Sequence, residues 1–344
     1  MKKKIVTFIG VVCILLVTVL LLGFLQALLM PKYMSTSREG ALIAEYYREE
    51  NPSHNVLFIG DCEVYESFTP PTLWEEYGIT SYIRGSAQQL PWQSYYLLED
   101  TLRYETPKVV VFNVLALKYG EPQDEAYNRM TLDGMKWSTS KVNAIKASMT
   151  EGESFLSYVF PLLRFHSRWN DLSGEDLTYL THRDTISHNG YLMQAEINGG
   201  KSDRVGKPLA DYTLPSTSMG YLDKMRALCA EKGIELILIK APTNDWKYYW
   251  YDEWDEQIAD YAEKNDLAYY NFIPLCDEIG IDWQTDTYDV GVHLNVFGAE
   301  KLTSYFGKIL AEKHGLADHR EDNELSALWQ EKLDAYYKER NSES

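Results

Sequence analysis

The first apolar positions of the chain form one uninterrupted run. After Met1-Lys2-Lys3-Lys4, every residue from 5 to 29 is uncharged and most are apolar. At a rise of about 1.5 Å per residue, a helix of this length exceeds the hydrocarbon core of a bilayer, which is roughly 30 Å thick. The run therefore predicts a membrane-spanning helix, and the three lysines before it favour an N-terminus in the cytoplasm.

A cleaved signal peptide is the alternative interpretation of this run. Signal peptides have apolar regions of about 7–15 residues, followed by small residues at the cleavage site. The residues after the run, Met30-Pro31-Lys32-Tyr33, contain no such site. The sequence thus favours an uncleaved signal anchor: residues 1–4 in the cytoplasm, 5–29 in the membrane, 30–54 as a polar, partly helical connector, and the remainder outside the cytoplasm.

Beyond the connector, short apolar runs rich in β-branched residues alternate with amphipathic helical patterns. The predicted strands are Val56–Ile59, Ser81–Ile83, Val109–Val114, Leu236–Ile239 and Leu267–Phe272. The predicted helices between them include Trp92–Arg103, Met219–Glu231 and Asp252–Lys264. Such alternation predicts an α/β domain over residues 55–320, with a parallel sheet covered by helices on both faces. In such sheets, sites form at the carboxyl ends of the strands.

The alternation breaks between residues 115 and 213. Helical patterns around Ser140–Met149 and Ser154–Leu163 predict a mainly helical insertion at the edge of the sheet, placed to form a lid or a substrate wall. Residues 321–344 are predicted to be a C-terminal helical tail. Its segment Asn323–Tyr337 has an apolar stripe, which predicts that the helix packs onto the domain.

Charge and cysteine content narrow the class of protein. The net charge of −18 argues against nucleic acid or anionic lipid as a partner, because phosphate binding needs a basic surface. Cys13 lies in the apolar run, which leaves three cysteines and no disulfide framework. Cys229 and Cys276 have the surroundings of small buried apolar residues, although a bridge between them stays open. Cys62 is the remaining thiol.

Cys62 belongs to one of two short motifs that lie far apart in the sequence. Gly60-Asp61-Cys62 follows the first predicted strand, and Asp289-Val290-Gly291-Val292-His293 lies near the C-terminus. A nucleophile, a base and an acid that orients the base are the components of acyl transfer. The motifs supply all three, with a cysteine at the position of the nucleophile.

These motifs resemble four sequence blocks of the SGNH/GDSL hydrolase superfamily. The matching positions are Gly60-Asp61-Cys62 (with Cys in place of Ser), Gly85, Asn113, and the pair Asp289 and His293. The pair is separated by three residues, where the superfamily has two. The segment His293-Leu294-Asn295-x-x-Gly298 is similar to membrane-anchored bacterial relatives, including those that modify cell-envelope polymers by acyl transfer.

The resemblance implies a flavodoxin-like three-layer α/β/α fold and a role for each matching residue. Cys62 would attack an acyl carbonyl, His293 would accept the thiol proton, and Asp289 would orient His293. Gly85 and Asn113 would complete an oxyanion hole with the backbone N–H of the nucleophile. A helix N-terminus after the first strand would lower the pKa of the thiol, whereas the acidic residues on either side of Cys62 would raise it.

Several alternatives stay open at this point. Cys62 is a small neutral filler if the site is inactive, and Ser86 and Ser67 are the nearest alternative hydroxyl nucleophiles. Asp286 is the substitute for Asp289 as the acid. Redox sensing by Cys62 fits poorly because no resolving cysteine lies near it in the sequence.

Basic and imidazole side chains of the insertion are candidates for binding an anionic or polyol substrate. They are Arg129, Arg164, His166 and His188. His166, His182 and His188 lack the spacing of metal ligands, so we predict neither a metal nor another cofactor.

Together these features predict a membrane-anchored, extracytoplasmic hydrolase or acyltransferase that acts on small O-acyl esters of cell-envelope glycans. Water as the acceptor would make it an esterase, and a sugar hydroxyl would make it a transferase. A transferase would have a membrane-bound acyl donor protein as a possible partner. The competing hypothesis is an inactive module of the same fold that binds glycan or scaffolds an envelope assembly.

Overall fold

The computed structural model describes residues 2–30, 38–50, 52–200, 206–244 and 250–343. The chain divides into two compact units. One unit consists of Met1–Arg38 and Glu151–Thr185, and the other of Glu39–Thr150 and Ile186–Ser344. The second unit contains the sheet and the motifs described above.

The sheet has five parallel strands. They are β1 (Val56–Gly60), β2 (Ser81–Gly85), β3 (Val109–Asn113), β4 (Glu235–Lys240) and β5 (Ala268–Asn271). Their order is β2-β1-β3-β4-β5, and every neighbouring pair is parallel. This is the strand order of flavodoxin-like folds. The predicted fold class and all five predicted strands are therefore confirmed.

Fifteen α-helices are present among the described residues. They are α1 (Lys2–Leu29), α2 (Arg38–Glu45), α3 (Cys62–Tyr65), α4 (Pro70–Tyr77), α5 (Pro91–Thr101), α6 (Glu125–Leu132), α7 (Thr139–Ser148), α8 (Phe155–Val159), α9 (Leu162–Phe165), α10 (Gly174–Thr178), α11 (Ser216–Lys232), α12 (Asp252–Lys264), α13 (Cys276–Ile279), α14 (Val296–Lys313) and α15 (Asn323–Glu343). Short 3-10 helices span Tyr46–Arg48, Val114–Lys118, His166–Asn170 and Ile273–Leu275. The three helices predicted between strands correspond to α5, α11 and α12.

The two faces of the sheet carry separate apolar cores, because successive strand residues point to opposite sides. Phe58 and Val111 pack with the apolar face of α14. Leu57 and Val110 pack with α11 and α12 on the other face. The result is the three-layer arrangement of helices, sheet and helices.

Cys229 and Cys276 lie in these two different cores. Both are buried and free, so the bridge left open by the sequence does not form.

The predicted connector is shorter than the sequence suggested. Ala41, Leu42 and Ile43 of α2 are buried, as is Tyr46, and Leu42 belongs to the core beside α14. Residues 31–37 of the predicted connector lie outside the described part of the chain. Residues 39–54 of the predicted connector therefore belong to the sheet-containing unit.

The insertion between β3 and β4 contains helices α6 to α10 and one isolated bridge, His188 with Tyr191, among its described residues. The single helix predicted over Ser154–Leu163 is wrong. The segment forms two short helices, α8 and α9, which are separated at Phe160 and Pro161. Proline has no backbone N–H and disfavours a helical conformation at the residue before it, so the helix stops there.

The helices at the two ends of the chain differ in character. Residues Lys3–Leu29 of α1 have a mean hydropathy of 3.2 in their most apolar window and are long and apolar enough to cross a membrane. In α15, the Trp329 ring stacks on Trp74 of α4, with centroids 5.3 Å apart. Leu333 joins the same cluster, which is the contact that the apolar stripe of the tail predicts.

Candidate active site

Cys62 lies at the carboxyl end of β1, where the strand turns into α3. The side chain of Asp61 caps α3 by accepting a hydrogen bond from the Glu63 N–H at 3.2 Å. A Cβ at Gly60 would lie 2.5 Å from Val64 Cγ2, so only glycine permits this close turn. The glycine and the cap together place Cys62 at the carboxyl-terminal end of the strands.

His293 and Asp289 lie on the loop before α14 and complete a linear arrangement with Cys62. His293 Nε2 is 3.1 Å from Cys62 Sγ, and His293 Nδ1 is 2.7 Å from Asp289 Oδ2. The other oxygen of Asp289 accepts the backbone N–H of His293 at 2.8 Å. One carboxylate thus holds both the backbone and the ring of the histidine, and the order is that of nucleophile, base and orienting acid.

The loop accommodates three residues between Asp289 and His293 through a left-handed turn. Val290 has φ +63° and Gly291 has φ +89°. The Gly291 N–H donates to Thr287 Oγ1 at 2.9 Å, which holds the turn in place. A β-branched residue is rarely found in this conformation, and such strain is concentrated at functional sites in proteins.

Asp286, the alternative acid, has other partners. Its Oδ2 accepts hydrogen bonds from Lys301 Nζ at 2.6 Å and from the Asp282 N–H at 2.7 Å. Asn295 caps α14 by accepting from the N–H groups of Phe297 and Gly298. The carboxylate that contacts the imidazole is therefore that of Asp289.

Glu66 and Tyr288 also face the imidazole, and sequence reasoning missed both. Glu66 Oε2 lies 3.6 Å from His293 Nδ1 and accepts a hydrogen bond from the Tyr288 hydroxyl at 2.9 Å. The Tyr288 ring is nearly parallel to the imidazole, with centroids 6.1 Å apart. Glu66 follows Cys62 by four residues, a spacing that places both on one helix face and was available as a signal. Tyr288 had no comparable signal.

The acidic surroundings raise the pKa of His293. Burial alone would lower it. An ionised Cys62 raises it most, and the Glu66 carboxylate and the hydrogen bond to Asp289 raise it whether or not the sulfur is ionised. The pKa of His293 is consequently well above its usual 6.5. Burial raises the pKa of Asp289, and its bonds to His293 reverse this, so that its net pKa lies below the usual value.

The pKa of the Cys62 thiol is raised to about 11, chiefly by burial and further by Asp61 and Glu66, although His293 opposes the shift. The sequence predicted two opposing effects on this pKa, a helix N-terminus that lowers it and acidic neighbours that raise it, and the net shift is upward. The helix after β1, α3, has only four residues, so the dipole at its N-terminus is that of a single turn. At neutral pH Cys62 is a thiol, which makes proton transfer to His293 part of any attack by sulfur.

The two carboxylates beside His293 lead to a prediction about pH dependence. His293 accepts a proton only when neutral, so activity should rise with pH through its raised pKa. Replacing Glu66 by glutamine removes a negative charge, lowers that pKa and shifts the acid limb of the kcat/KM profile to lower pH. Glu278→Gln is the matched control, since Glu278 is exposed and also accepts a tyrosine hydroxyl, from Tyr305. An acid limb that Glu66→Gln leaves in place would contradict this role.

A buried network of charges lies behind Cys62 at the ends of β1, β3 and β4. Lys240 Nζ donates to both oxygens of Glu63, at 2.9 and 2.8 Å. Asn113 Nδ2 donates to Asp61 Oδ1 and to Glu63 Oε2, both at 3.0 Å. Burial and the charge of Glu63 raise the pKa of Asp61 to about 6. These hydrogen bonds join the carboxyl ends of β1, β3 and β4 into one buried wall of charged and polar side chains.

This wall bears on the predicted oxyanion hole. Both amide hydrogens of Asn113 are donated to carboxylates, so Asn113 would have to exchange one of these bonds to bind an oxyanion. A Cβ at Gly85 would lie 3.1 Å from both the Gly60 carbonyl oxygen and the Tyr65 ring, so this glycine serves close packing. The oxyanion roles of Asn113 and Gly85 stay predictions.

Lys118, at the end of the 3-10 helix after β3, is a further cation near this wall. Burial lowers its pKa to about 8, while the charges of Glu63, Asp61 and Cys62 oppose that shift. Sequence reasoning did not single it out.

The alternative hydroxyl nucleophiles are both buried. Ser86 is hydrogen bonded to Gln89 and Thr131, and Ser67 is also inaccessible. Cys62 is partly exposed and is the group in contact with His293 Nε2. The geometry thus favours Cys62 over either serine.

The predicted substrate-binding residues are spread over both units. In the sheet-containing unit, Arg129 is buried in ion pairs with Glu125 and Asp133. His188 Nε2 lies 2.9 Å from Glu339 Oε2.

Arg164 and His166 are exposed and belong to the other unit. Substrate contact by these four residues stays a prediction. Within the described ranges, no three His, Cys, Asp or Glu side chains are grouped as metal ligands would be.

Two solved structures are similar to this chain. One is described as a "putative acylhydrolase" from Bacteroides fragilis, with 12% identity, a TM-score of 0.37, and coverage of 78% of this chain and 94% of that one. The other is a GDSL-like lipase from Bacteroides thetaiotaomicron, with 12% identity, a TM-score of 0.37, and coverage of 82% and 100%. No family model and no curated protein matches the chain.

Proposed function

We propose that this protein transfers or hydrolyses a small acyl group through a covalent Cys62 intermediate. The observation that carries the proposal is the continuous contact from Asp289 to His293 to Cys62, with distances of 2.7 and 3.1 Å. A thiol in contact with a base, and a base oriented by a carboxylate, form the arrangement that nucleophilic acyl transfer requires.

The reaction has two halves that use the same groups. Neutral His293 accepts the thiol proton as Cys62 Sγ forms a bond to the acyl carbon. The bond to the leaving alcohol then breaks, and the alcohol oxygen takes the proton from His293, leaving a thioester. In the second half, water or a sugar hydroxyl gives its proton to His293 and attacks the thioester. The sulfur leaves and recovers that proton, and Asp289 stabilises the imidazolium in both halves.

We infer that the acyl group belongs to small O-acyl esters of a cell-envelope glycan. The apolar helix α1 and the lysines before it support an anchored domain outside the cytoplasm. The motif resemblance supports the glycan ester as substrate class. If the acceptor is a sugar hydroxyl, a membrane-bound donor protein is the expected partner.

Trapping the thioester tests this proposal. Full-length protein in detergent is mixed with 4-nitrophenyl acetate, quenched in acid within a turnover, and analysed by intact mass and peptide mapping. We expect one acetyl group on Cys62 in the unmodified protein and in His182→Ala, whose histidine is exposed on the other unit. His293→Ala should show almost none. Equal acetylation of Cys62 with and without His293 would reveal simple chemical labelling and reject the proposal.

An inactive glycan-binding module is the second candidate, and one observation favours it. Both amide hydrogens of Asn113 are already bonded to carboxylates, which leaves the predicted oxyanion hole incomplete in this conformation. Such a module would give no acyl-enzyme, yet it would bind envelope glycans with a Kd that Cys62→Ala leaves unchanged.

A further inference from the structure

Part of the insertion packs against the C-terminal end of α1. Arg168 Nη1 donates to the carbonyl oxygens of Leu29 and Met30, at 3.1 and 2.7 Å. Carbonyls at a helix end have no partner within the helix, so the guanidinium caps α1. Arg168 Nη2 also pairs with Asp176 Oδ1 at 2.9 Å, which ties α10 to the same point. The last turn of α1 and residues 151–185 thus form one packed unit.

This unit exposes several large apolar side chains outside α1. They are Leu156, Phe160, Leu163, Trp169 and Leu177, each between 48% and 69% exposed. Leu156 lies in α8, Leu163 lies in α9, and Phe160 lies at the break between the two helices. So many large exposed apolar side chains within one segment of 35 residues are unusual for a soluble surface, and such side chains mark binding surfaces.

We propose that residues 151–185 form a membrane-interface element whose exposed apolar side chains insert into the headgroup layer of the bilayer. The proposal rests on α1 crossing the membrane, as in the proposed function, and is independent of any catalysis.

The length of α1 gives the depth of this element. A hydrocarbon core of roughly 30 Å takes about 20 residues at 1.5 Å each. Counted from the lysines at the cytoplasmic headgroups, the core extends from residue 5 to about residue 24, and the last residues of the 5–29 run lie at the outer headgroups. Leu29 then lies about 7 Å beyond the core, at the level of the headgroups, and it is the part of α1 that is buried against the element. Tryptophan is enriched at this level, where Trp169 would lie.

The charge of the element decides which force holds it to lipid. Residues 151–185 contain six acidic residues and three arginines, so attraction to anionic lipid is not available. Binding must come from apolar insertion beside the anchor. Arg164 and His166, first considered for substrate binding, lie on this element, and Arg164 packs over the Phe165 ring with 5.6 Å from Cζ to the centroid.

Depth-dependent fluorescence quenching tests the proposal on the full chain in phosphatidylcholine vesicles. An environment-sensitive dye is attached to the cysteine introduced by Leu163→Cys or Leu177→Cys, in a background with Cys13→Ser and Cys62→Ser. The two remaining thiols, Cys229 and Cys276, are buried. Asp184→Cys is the matched control, because Asp184 is 87% exposed in the same unit but polar. The native Cys13, labelled alone, reports on α1 itself.

We expect brominated acyl chains to quench the dyes at 163 and 177 several-fold more than the dye at 184, with or without anionic lipid. If an aqueous paramagnetic ion quenches the dyes at 163 and 177 as much as the dye at 184, the proposal is overturned. Strong quenching of a dye on Cys13 by the brominated acyl chains would show that α1 still crosses the membrane in that case. Protection from both quenchers would mean that protein covers the surface, which also rejects it. Aqueous quenching at Cys13 would remove the span and the proposal with it.

Discussion

Replacing His293 by alanine should lower kcat/KM for a small acyl ester by about 10³-fold, within the range known for general bases. The effect is large because the pKa of the Cys62 thiol is about 11, so little thiolate exists at neutral pH without a base. His293 Nε2, 3.1 Å from the sulfur, is the group in position to remove the proton. Steady-state hydrolysis of 4-nitrophenyl acetate by the full-length protein provides the measurement.

Chemical rescue separates this effect from a folding defect. The alanine variant leaves a space beside Cys62 that imidazole can enter, so added imidazole should restore part of kcat in a saturable manner. The kcat/KM of Asp289→Asn should lie between those of the unmodified protein and His293→Ala, because the histidine remains but loses its orienting charge. A His293→Ala variant that keeps activity within tenfold of the parent would assign the base to another group.

Replacing Lys240 by methionine is expected to lower the free energy of unfolding by about 3–5 kcal/mol. The Lys240 side chain is 0% exposed and that of Glu63 is 5% exposed, so loss of the ammonium leaves a buried carboxylate without its cation. Chemical denaturation of the full-length protein, followed by tryptophan fluorescence, gives the value.

Two further variants show whether the buried charge is the cause. Adding Glu63→Gln to Lys240→Met should recover much of the loss, since the double variant has no uncompensated charge. Lys264→Met removes a lysine whose partner Asp260 lies 4.0 Å away on the surface, and it should leave stability unchanged. If the double variant is as unstable as Lys240→Met alone, packing around the lysine is responsible instead.

The sheet was predictable because its signal is local. Five short apolar runs specify five parallel strands without knowledge of their neighbours. The first three strands are fully buried, the fourth is buried except at its first residue, and the fifth is half-buried. Cys62 was predictable because a short motif places it at the end of the first run, and Asp289 and His293 because they form a second short motif near the C-terminus. Their contact with Cys62 over 231 residues of sequence was implied by the resemblance of both motifs to one superfamily.

What the sequence did not reveal depends on contacts between distant segments. The bond from Tyr288 to Glu66 joins residues 222 apart, and that from Lys240 to Glu63 joins residues 177 apart. The largest cause of the raised pKa of the Cys62 thiol was hidden for the same reason, because burial of a side chain is a property of the folded molecule. The break at Pro161 was visible in the sequence, and the apolar pattern obscured it.

The left-handed turn at Val290 has a consequence for anyone who tries to improve this protein. Glycine at that position would remove the cost of a β-branched residue at φ +63°, and a screen for thermal stability should select it. The same substitution would increase the number of conformations available to the loop that sets the distance from Asp289 to His293. Heat resistance and turnover are therefore expected to move in opposite directions at this residue, and natural variation there would reveal which of the two selection has favoured.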